Sequence, residues 1–302
     1  MLAILQGATS LGLLWALMTI GVFLTFRILD MPDLSVEGTI ILGAAVAARW
    51  ISEGGNPFLG TLLAIIVGCL GGLVTGILHT KFKIPPILAG ILTMIGSYSI
   101  VIRIMGNTSN IPLLRRTTVT VFTFLENFGL SNRNAVIVLA AGVVIVIGSL
   151  LYCFAGTETG SAMRATGNNP QMVKAQGVNT DAMIVLCLMI SNGLVGLTGA
   201  LVAQQQGFAS VDMGVGTIVI GLASVIIAEV LFKVRSFWGR LISLVIGAII
   251  YRLIIALVLE LGMAPTDLRL FTALTVAVAL TLPLIREKST KLAGKIRQRK
   301  EG

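Results

Sequence analysis

The chain has 302 residues, 56% of them hydrophobic and only 12% charged, with a formal net charge of +9. Soluble domains carry about 25% charged residues, and a mean hydropathy of +0.97 leaves too little polar surface for a soluble enzyme, a secreted disulfide module or a disordered tail. Three dispersed cysteines (Cys69, Cys153, Cys187) and one histidine (His79) exclude a disulfide framework, a CxxC metal site and a zinc constellation.

The composition is that of an all-α, polytopic membrane protein. A crossing helix needs about 20 mostly apolar residues, and about nine such stretches are predicted, within a range of 8–10. The first, 5–26, has no charged n-region and reads as a retained span instead of a cleaved signal. The second, 36–52, is the weakest: it starts at Ser35-Val36-Glu37, ends in Arg49-Trp50, and is either a full span or a re-entrant or tilted segment. The third, 58–79, carries Gly68, Gly72 and Gly76 on one face, a pattern that suits close packing within one subunit or dimerisation. His79, beside Lys81 and Lys83, reads as a solvated boundary residue. The fourth, 85–105, places Thr93 and Ser97 one turn apart.

The longest loop, 106–133, contains Ile111-Pro112, the polar run Arg115-Arg116-Thr117-Thr118 and an amphipathic stretch from Val119 to Phe128 that suits a membrane interface. After a fifth span at 134–154 comes a polar segment, 157–179. The sixth span, 181–205, aligns Asn192, Gly196, Ala200 and Gln204 at steps of four. Such a stripe is costly against lipid, so it serves either interhelical hydrogen bonding or a water-filled path. Thr93, Ser97, Asn192 and Gln204 are therefore the candidate pathway residues. The seventh and eighth spans, 216–232 and 240–260, hold the embedded charges Glu229 and Arg252. Each costs about 2.5–3.5 kcal/mol at the bilayer centre and implies a partner or a wet cavity. The spans carry no chain of acidic groups of the kind an ion-coupled carrier uses. A ninth span, 268–285, completes a membrane domain of residues 1–285, and a basic tail follows at 286–302.

Strict alternation puts Arg27, Lys81, Lys83, Arg164, Lys174, Lys233, Arg235, Arg240 and the seven basic tail residues on one side. Arg49, Arg103, Arg115, Arg116, Arg133 and Arg269 fall on the other. The positive-inside bias makes the tail cytoplasmic and, with an odd span count, the N-terminus external. The tail also supplies more than half of the net charge, which suits anionic headgroups and not nucleic acid.

Two stretches resemble each other. Ser35-Val36-Glu37 and Gly38-Thr39-Ile40-Ile41-Leu42-Gly43 parallel Ser210-Val211-Asp212 and Gly216-Thr217-Ile218-Val219-Ile220-Gly221. Downstream, Phe58-Leu59-Gly60 parallels Phe237-Trp238-Gly239, and Leu92-Thr93 parallels Leu274-Thr275. These copies, about 35–95 and 210–277, begin five spans apart and so have opposite orientation. Inverted repeats are a recurring plan of transport proteins.

Segment 157–179 reads as two short helices, the first over 158–166 ending at Gly167, the second capped by Asn169 with Pro170 at its first position and stopping near Gly177. Two capped helices and a tight turn make either a well-formed connector or, as the favoured reading, a docking element for a cytoplasmic partner. The run from Gly160 through Asn179, with Arg164-Ala165-Thr166-Gly167-Asn168-Asn169-Pro170 at its heart, resembles the coupling segment of ABC importer permeases of the branched-chain amino acid and ribose type. Ile87 to Met94 and Gly221 to Ile227 also resemble family stretches, and within that branch the chain is most similar to permeases of tryptophan- and tyrosine-type systems.

The resemblance implies a non-enzymatic transport subunit in the plasma membrane, paired with a second permease copy as a homodimer. It also implies two copies of a cytoplasmic ATPase and an extracytoplasmic substrate-binding lipoprotein. No GxxxxGK[ST] motif occurs, so the chain binds no cofactor through a P-loop, and ATP-Mg belongs to the partner ATPase. Arg164, Asn168, Asn169, Pro170 and Lys174 are the implied ATPase-contact residues. The implied cargo is an amino acid, aromatic or hydrophobic, with a sugar or nucleoside as the alternative. A self-sufficient channel or ion-coupled carrier is the competing class, and an intramembrane hydrolase lacks the residues for its chemistry.

Overall fold

The computed structural model describes residues 2–113, 119–126, 131–234 and 236–260, with single positions at 270, 274, 277 and 281. Apart from those four positions, the predicted span 268–285 and the tail 286–302 lie outside the described residues, as do Arg115, Arg116, Phe128, Arg235 and Arg269. Helix α1 (Leu2–Phe23) runs on through a π-helical turn (Leu24–Ile28) and is followed by α2 (Val36–Ser52), α3 (Pro57–Thr80) and α4 (Pro86–Ile104). A short strand β1 (Asn110–Pro112) and a short helix α5 (Val121–Glu126) precede α6 (Asn132–Ala155). Helices α7 (Glu158–Asn168) and α8 (Pro170–Ala175) lead to α9 (Thr180–Gln206). Strand β2 (Phe208–Ser210), a 3-10 turn (Val211–Gly214), α10 (Thr217–Leu231) and α11 (Phe237–Glu260) complete the described chain.

Among the described residues, seven helices are long and apolar enough to cross a membrane, so this is a multi-pass membrane protein. Local sequence sets their ends. Asn56 caps α3 by accepting from Phe58 N, with Pro57 at the first helical position. Asn179 caps α9 by accepting from Ala182 N, and Gly207 ends it in the left-handed region at φ 76°.

Helix α9 is the axis of the bundle. It is buried without a break from Ser191 to Gln204 because α3, α2 and α1 pack around it. The glycine stripe of α3 makes this possible. A Cβ at Gly68 or Gly72 would strike the carbonyls of Asn192 and Leu188, and at Gly76 it would lie 3.0 Å from Val185 Cα. Packing within one chain therefore occupies this face, and it is not available to a second subunit.

The strands β1 and β2 pair antiparallel, with Ile111 opposite Ala209, and mark what is here termed the upper end of the bundle. They modify the all-α reading by three residues each, too few for a period-two pattern to register. Helices α7 and α8 mark the lower end. The amphipathic stretch before α6 packs on protein: Val121 and Phe122 of α5 are buried, while Phe124 meets Phe58 edge to face at 5.7 Å.

Two α-helices, α2 and α10, are too short to cross as α-helix alone; α10 is one of the seven only when counted with the 3-10 turn before it, as the span Val211–Leu231. α2 has 17 residues, about 25 Å of helix against a hydrocarbon core of about 30 Å. It starts beside Asn192, near the middle of α9, and rises to the upper end. α10 has 15 residues, also starts at mid-depth, and descends to the lower end, where Glu229 meets Arg27. The segments 29–35 and 207–216 carry the chain from one face to mid-depth before each half-helix begins. The segment at 36–52 is thus a half-span completed by non-helical chain, which keeps the alternation of the neighbouring helices intact.

Helix α7 also departs from expectation. It continues through Gly167 to Asn168 instead of stopping at 166. Gly167 lies against the carbonyl of Ile28, where a Cβ would collide, so its role is close approach to the end of α1 and not a left-handed cap.

Candidate functional site

The N-termini of α2 and α10 meet at mid-depth. Glu37, in the first turn of α2, accepts from Gly216 N at 3.0 Å, and the Ile218 amide also reaches it. A carboxylate against exposed amides at a helix start is favoured by the aligned peptide dipoles. Glu37 thereby ties one half-helix to the start of the other. Tyr98 on α4 lies within electrostatic range of Glu37 and Asp212; Glu37 and Tyr98 are half-buried and Asp212 is exposed. A half-buried carboxylate at this depth cannot face lipid without a cost of about 2.5–3.5 kcal/mol.

Behind this surface lies a second polar cluster. Asp33 is buried; its Oδ1 accepts from Ser35 N (2.9 Å) and Ser35 Oγ (2.6 Å), and its Oδ2 from Asn192 Nδ2 (2.7 Å). Below it a narrow cavity of about 10 Å³, lined by Asp33, Thr75, His79 and Pro86, is the size of one water. His79 Nδ1 sits 2.8 Å from the Ile84 carbonyl, so that nitrogen is the donor. The side chain is fixed and half-buried, more enclosed than a solvated boundary residue.

Asp33 and Glu37 are functional candidates that sequence reasoning missed, because Asp33 falls between predicted spans and Glu37 at the very start of the weakest one, where it reads as a boundary residue. The weakness of 36–52 as a span, together with the parallel between Ser35-Val36-Glu37 and Ser210-Val211-Asp212, was the available signal. The embedded charges that were recognised have partners. Arg27 Nε donates to Glu229 Oε1 (2.6 Å) and its Nη2 to Oε2, while the Arg252 guanidinium lies 4.1 Å from the centre of the Trp15 ring.

The four candidate pathway residues are all buried and do not converge on one cavity. Thr75 Oγ1 donates to Thr93 Oγ1 (2.9 Å), which donates to Ala89 O (3.1 Å), and Ser97 Oγ donates to Thr93 O (2.7 Å). Asn192 holds Asp33, as described. Gln204 sits at the upper end, donating to Thr61 Oγ1 (2.9 Å) and accepting from Val121 N (3.0 Å), so it joins α9 to α3 and α5.

At the lower end the five docking candidates separate into two groups. Arg164 points inward: Nη2 donates to Ala155 O (2.8 Å) and the guanidinium lies 6.0 Å from the Phe237 ring centre. It therefore fastens α7 to α6 and α11. Asn168, Asn169, Pro170 and Lys174 are exposed, as are Gln171 and Met172 between them. Asn169 caps α8 by accepting from Met172 N (3.1 Å). The outward surface is thus small, polar and centred on one exposed apolar side chain, Met172.

Comparison with known proteins agrees with this architecture. Residues 4–281 match the family described as branched-chain amino acid transport system / permease component. The chain is 42% identical over 294 residues to a tyrosine transport system permease protein of Clostridioides difficile, covering 96% of each. It is 31% identical over 285 residues to an uncharacterized protein of Rickettsia prowazekii, covering 92% of this chain and 97% of that one. A ribose import permease protein of Haemophilus influenzae is 28% identical over 238 residues, covering 76% of this chain and 70% of the relative. No solved structure matches. The match over residues 4–281 and the 42% identity over nearly the whole of both chains place the protein in the branched-chain amino acid transport system permease family, whose members are ABC-type transport subunits.

Proposed function

We propose that the chain is the membrane subunit of an ATP-driven importer for an amino acid with an aromatic or hydrophobic side chain, such as tyrosine. The single observation that carries this reading is Glu37. A half-buried carboxylate at mid-depth, set where two half-helices meet, needs water or a partner beside it, and a translocation path supplies both. The substrate class is supported by the 42% identity to a tyrosine transport system permease protein.

In this reading two copies of the chain form a homodimer, and the surface around Glu37, Tyr98 and Asp212 lines the path between them. Thr93, Ser97, Asn192 and Gln204 act behind the path: Thr93 ties α4 to α3, Ser97 bonds within α4, Asn192 ties α9 to the segment before α2, and Gln204 ties α9 to α3 and α5. The lower end is cytoplasmic, as is the tail 286–302, and the exposed side of α8 rests on one of two ATPase copies that hold ATP-Mg. An extracytoplasmic binding lipoprotein delivers substrate at the upper end. The opposed half-helices α2 and α10 support the division into inverted repeats at about 35–95 and 210–277.

The test is uptake of labelled tyrosine into liposomes that contain the chain, its ATPase and its binding lipoprotein. Uptake that requires ATP inside and lipoprotein outside is expected; uptake by the chain alone, driven by an ion gradient, would sink the proposal. Similarity to the ribose import permease protein favours a sugar as the second reading. Competition by unlabelled ribose, with none by tyrosine, would establish it.

A further inference from the structure

A cleft of about 390 Å³ opens at the lower end between the end of α1, the end of α10 and the start of α11. It belongs neither to the mid-depth site nor to the exposed side of α8. Its rim carries Arg27, Lys233 and Arg240 against a single carboxylate, Glu229. Arg27 is committed to Glu229 through two hydrogen bonds. Among the described residues neither Lys233 nor Arg240 has an acidic partner, so the rim keeps two unneutralised cations.

The cleft has an ordered polarity. Phe23 lies four residues before Arg27 on α1, and Leu244 four residues after Arg240 on α11, so each apolar side chain sits one helical turn deeper than a cation. Both belong to the lining. Moving from the lower face toward the bilayer centre, a ligand therefore meets cations and then an aromatic and an aliphatic wall within about 6 Å. A phosphate-bearing ligand satisfies the rim alone; a phospholipid satisfies both layers, with its phosphate at Lys233 and Arg240 and its glycerol and first methylenes against Phe23 and Leu244. Basic pockets between membrane helices are known to take anionic headgroups.

We infer that this cleft is a binding site for an anionic phospholipid. An occupant here touches the end of α1 and the start of α11, the two elements against which α7 is fastened through Gly167 and Arg164. The lipid thus braces the base on which the docking helices sit.

Native mass spectrometry of the full chain, purified from equal amounts of phosphatidylglycerol and phosphatidylcholine, tests this without any ATPase or transport assay. Preferential retention of phosphatidylglycerol is expected. The double variant Lys233→Gln, Arg240→Gln should lower that retention by roughly fivefold for each cation removed. The charge-matched pair Lys81→Gln, Lys83→Gln, at the same end but outside the cleft, should leave it unchanged. Val234→Trp, at an exposed apolar position of the lining, narrows the cleft without altering charge and should produce a comparable loss, which keeps the test decisive if the charge variant folds poorly. Equal loss in both charge variants means diffuse attraction to the face and overturns the inference. Retention unaffected by Val234→Trp and by the double variant overturns it as well. Displacement of the lipid by an equal concentration of inorganic phosphate would mark a soluble-anion site and reject the lipid.

Discussion

Glu37 combines two tasks that a single substitution can separate. Its Oε1 accepts from Gly216 N, a bond that a glutamine oxygen can also accept, whereas the negative charge proposed to face the path is lost in Glu37→Gln. A hydrogen bond to a charged group is worth about 1.5–3 kcal/mol, and 1.36 kcal/mol is tenfold in rate. Uptake by the reconstituted importer should therefore fall roughly tenfold or more, while the melting temperature in detergent stays within a few degrees. Equal loss of stability and uptake would show that Glu37 is only a cap. Asp33 stands in contrast: its three hydrogen bonds all come from Ser35 and Asn192, and a buried carboxylate so enclosed supports the frame and not the cargo. Neither residue stood out in the chain, because hydropathy places Asp33 between spans and Glu37 at the outer edge of one. Depth is a tertiary property, revealed here only by the contact of Ser35 with the middle of α9.

At the level of elements, α7 and α8 carry different loads. Arg164 is fastened to Ala155 and Phe237 inside the bundle, while Lys174 is exposed. Lys174→Glu should reduce co-purification of the ATPase several-fold with no change in melting temperature. Arg164→Ala should lower both, since it loosens α7 and removes a charge-assisted hydrogen bond of about 1.5–3 kcal/mol. The opposite pattern, with Arg164→Ala affecting only ATPase retention, would return Arg164 to the outer surface. The caps of these two helices were readable because Asn169-Pro170 states a helix start locally. The extent of α7 was not, because the reason for Gly167 is the Ile28 carbonyl, 139 positions away in the chain. The α3 glycine stripe was legible as a packing face but silent about its partner, which spacing alone never names.

For the whole molecule, the half-helices resolve the difficulty of an odd, weak second span. Each is completed by other chain (29–35 before α2, 207–216 before α10), so successive membrane segments alternate in direction through α11 among the described residues. Thr108 at the upper end and Gln176 at the lower end are both exposed. In intact cells a cysteine at 108 should react with a membrane-impermeant maleimide, and a cysteine at 176 only after permeabilisation; the reverse labelling would invert the molecule and place α8 outside.

The smallest element has a mechanical consequence. β1 follows α4 and β2 follows α9, so their short ladder stitches the upper ends of two distant parts of the chain together. Helix α9 has 27 residues, a rod of about 40 Å, anchored at its top by this stitch and by Gln204, and continuous at its bottom with the docking helices. If α9 and the helices packed on it tilted together about this tether, about 5° would displace the lower end by roughly 3.5 Å while the ladder scarcely moved, which would make the ladder a fulcrum and α8 its handle.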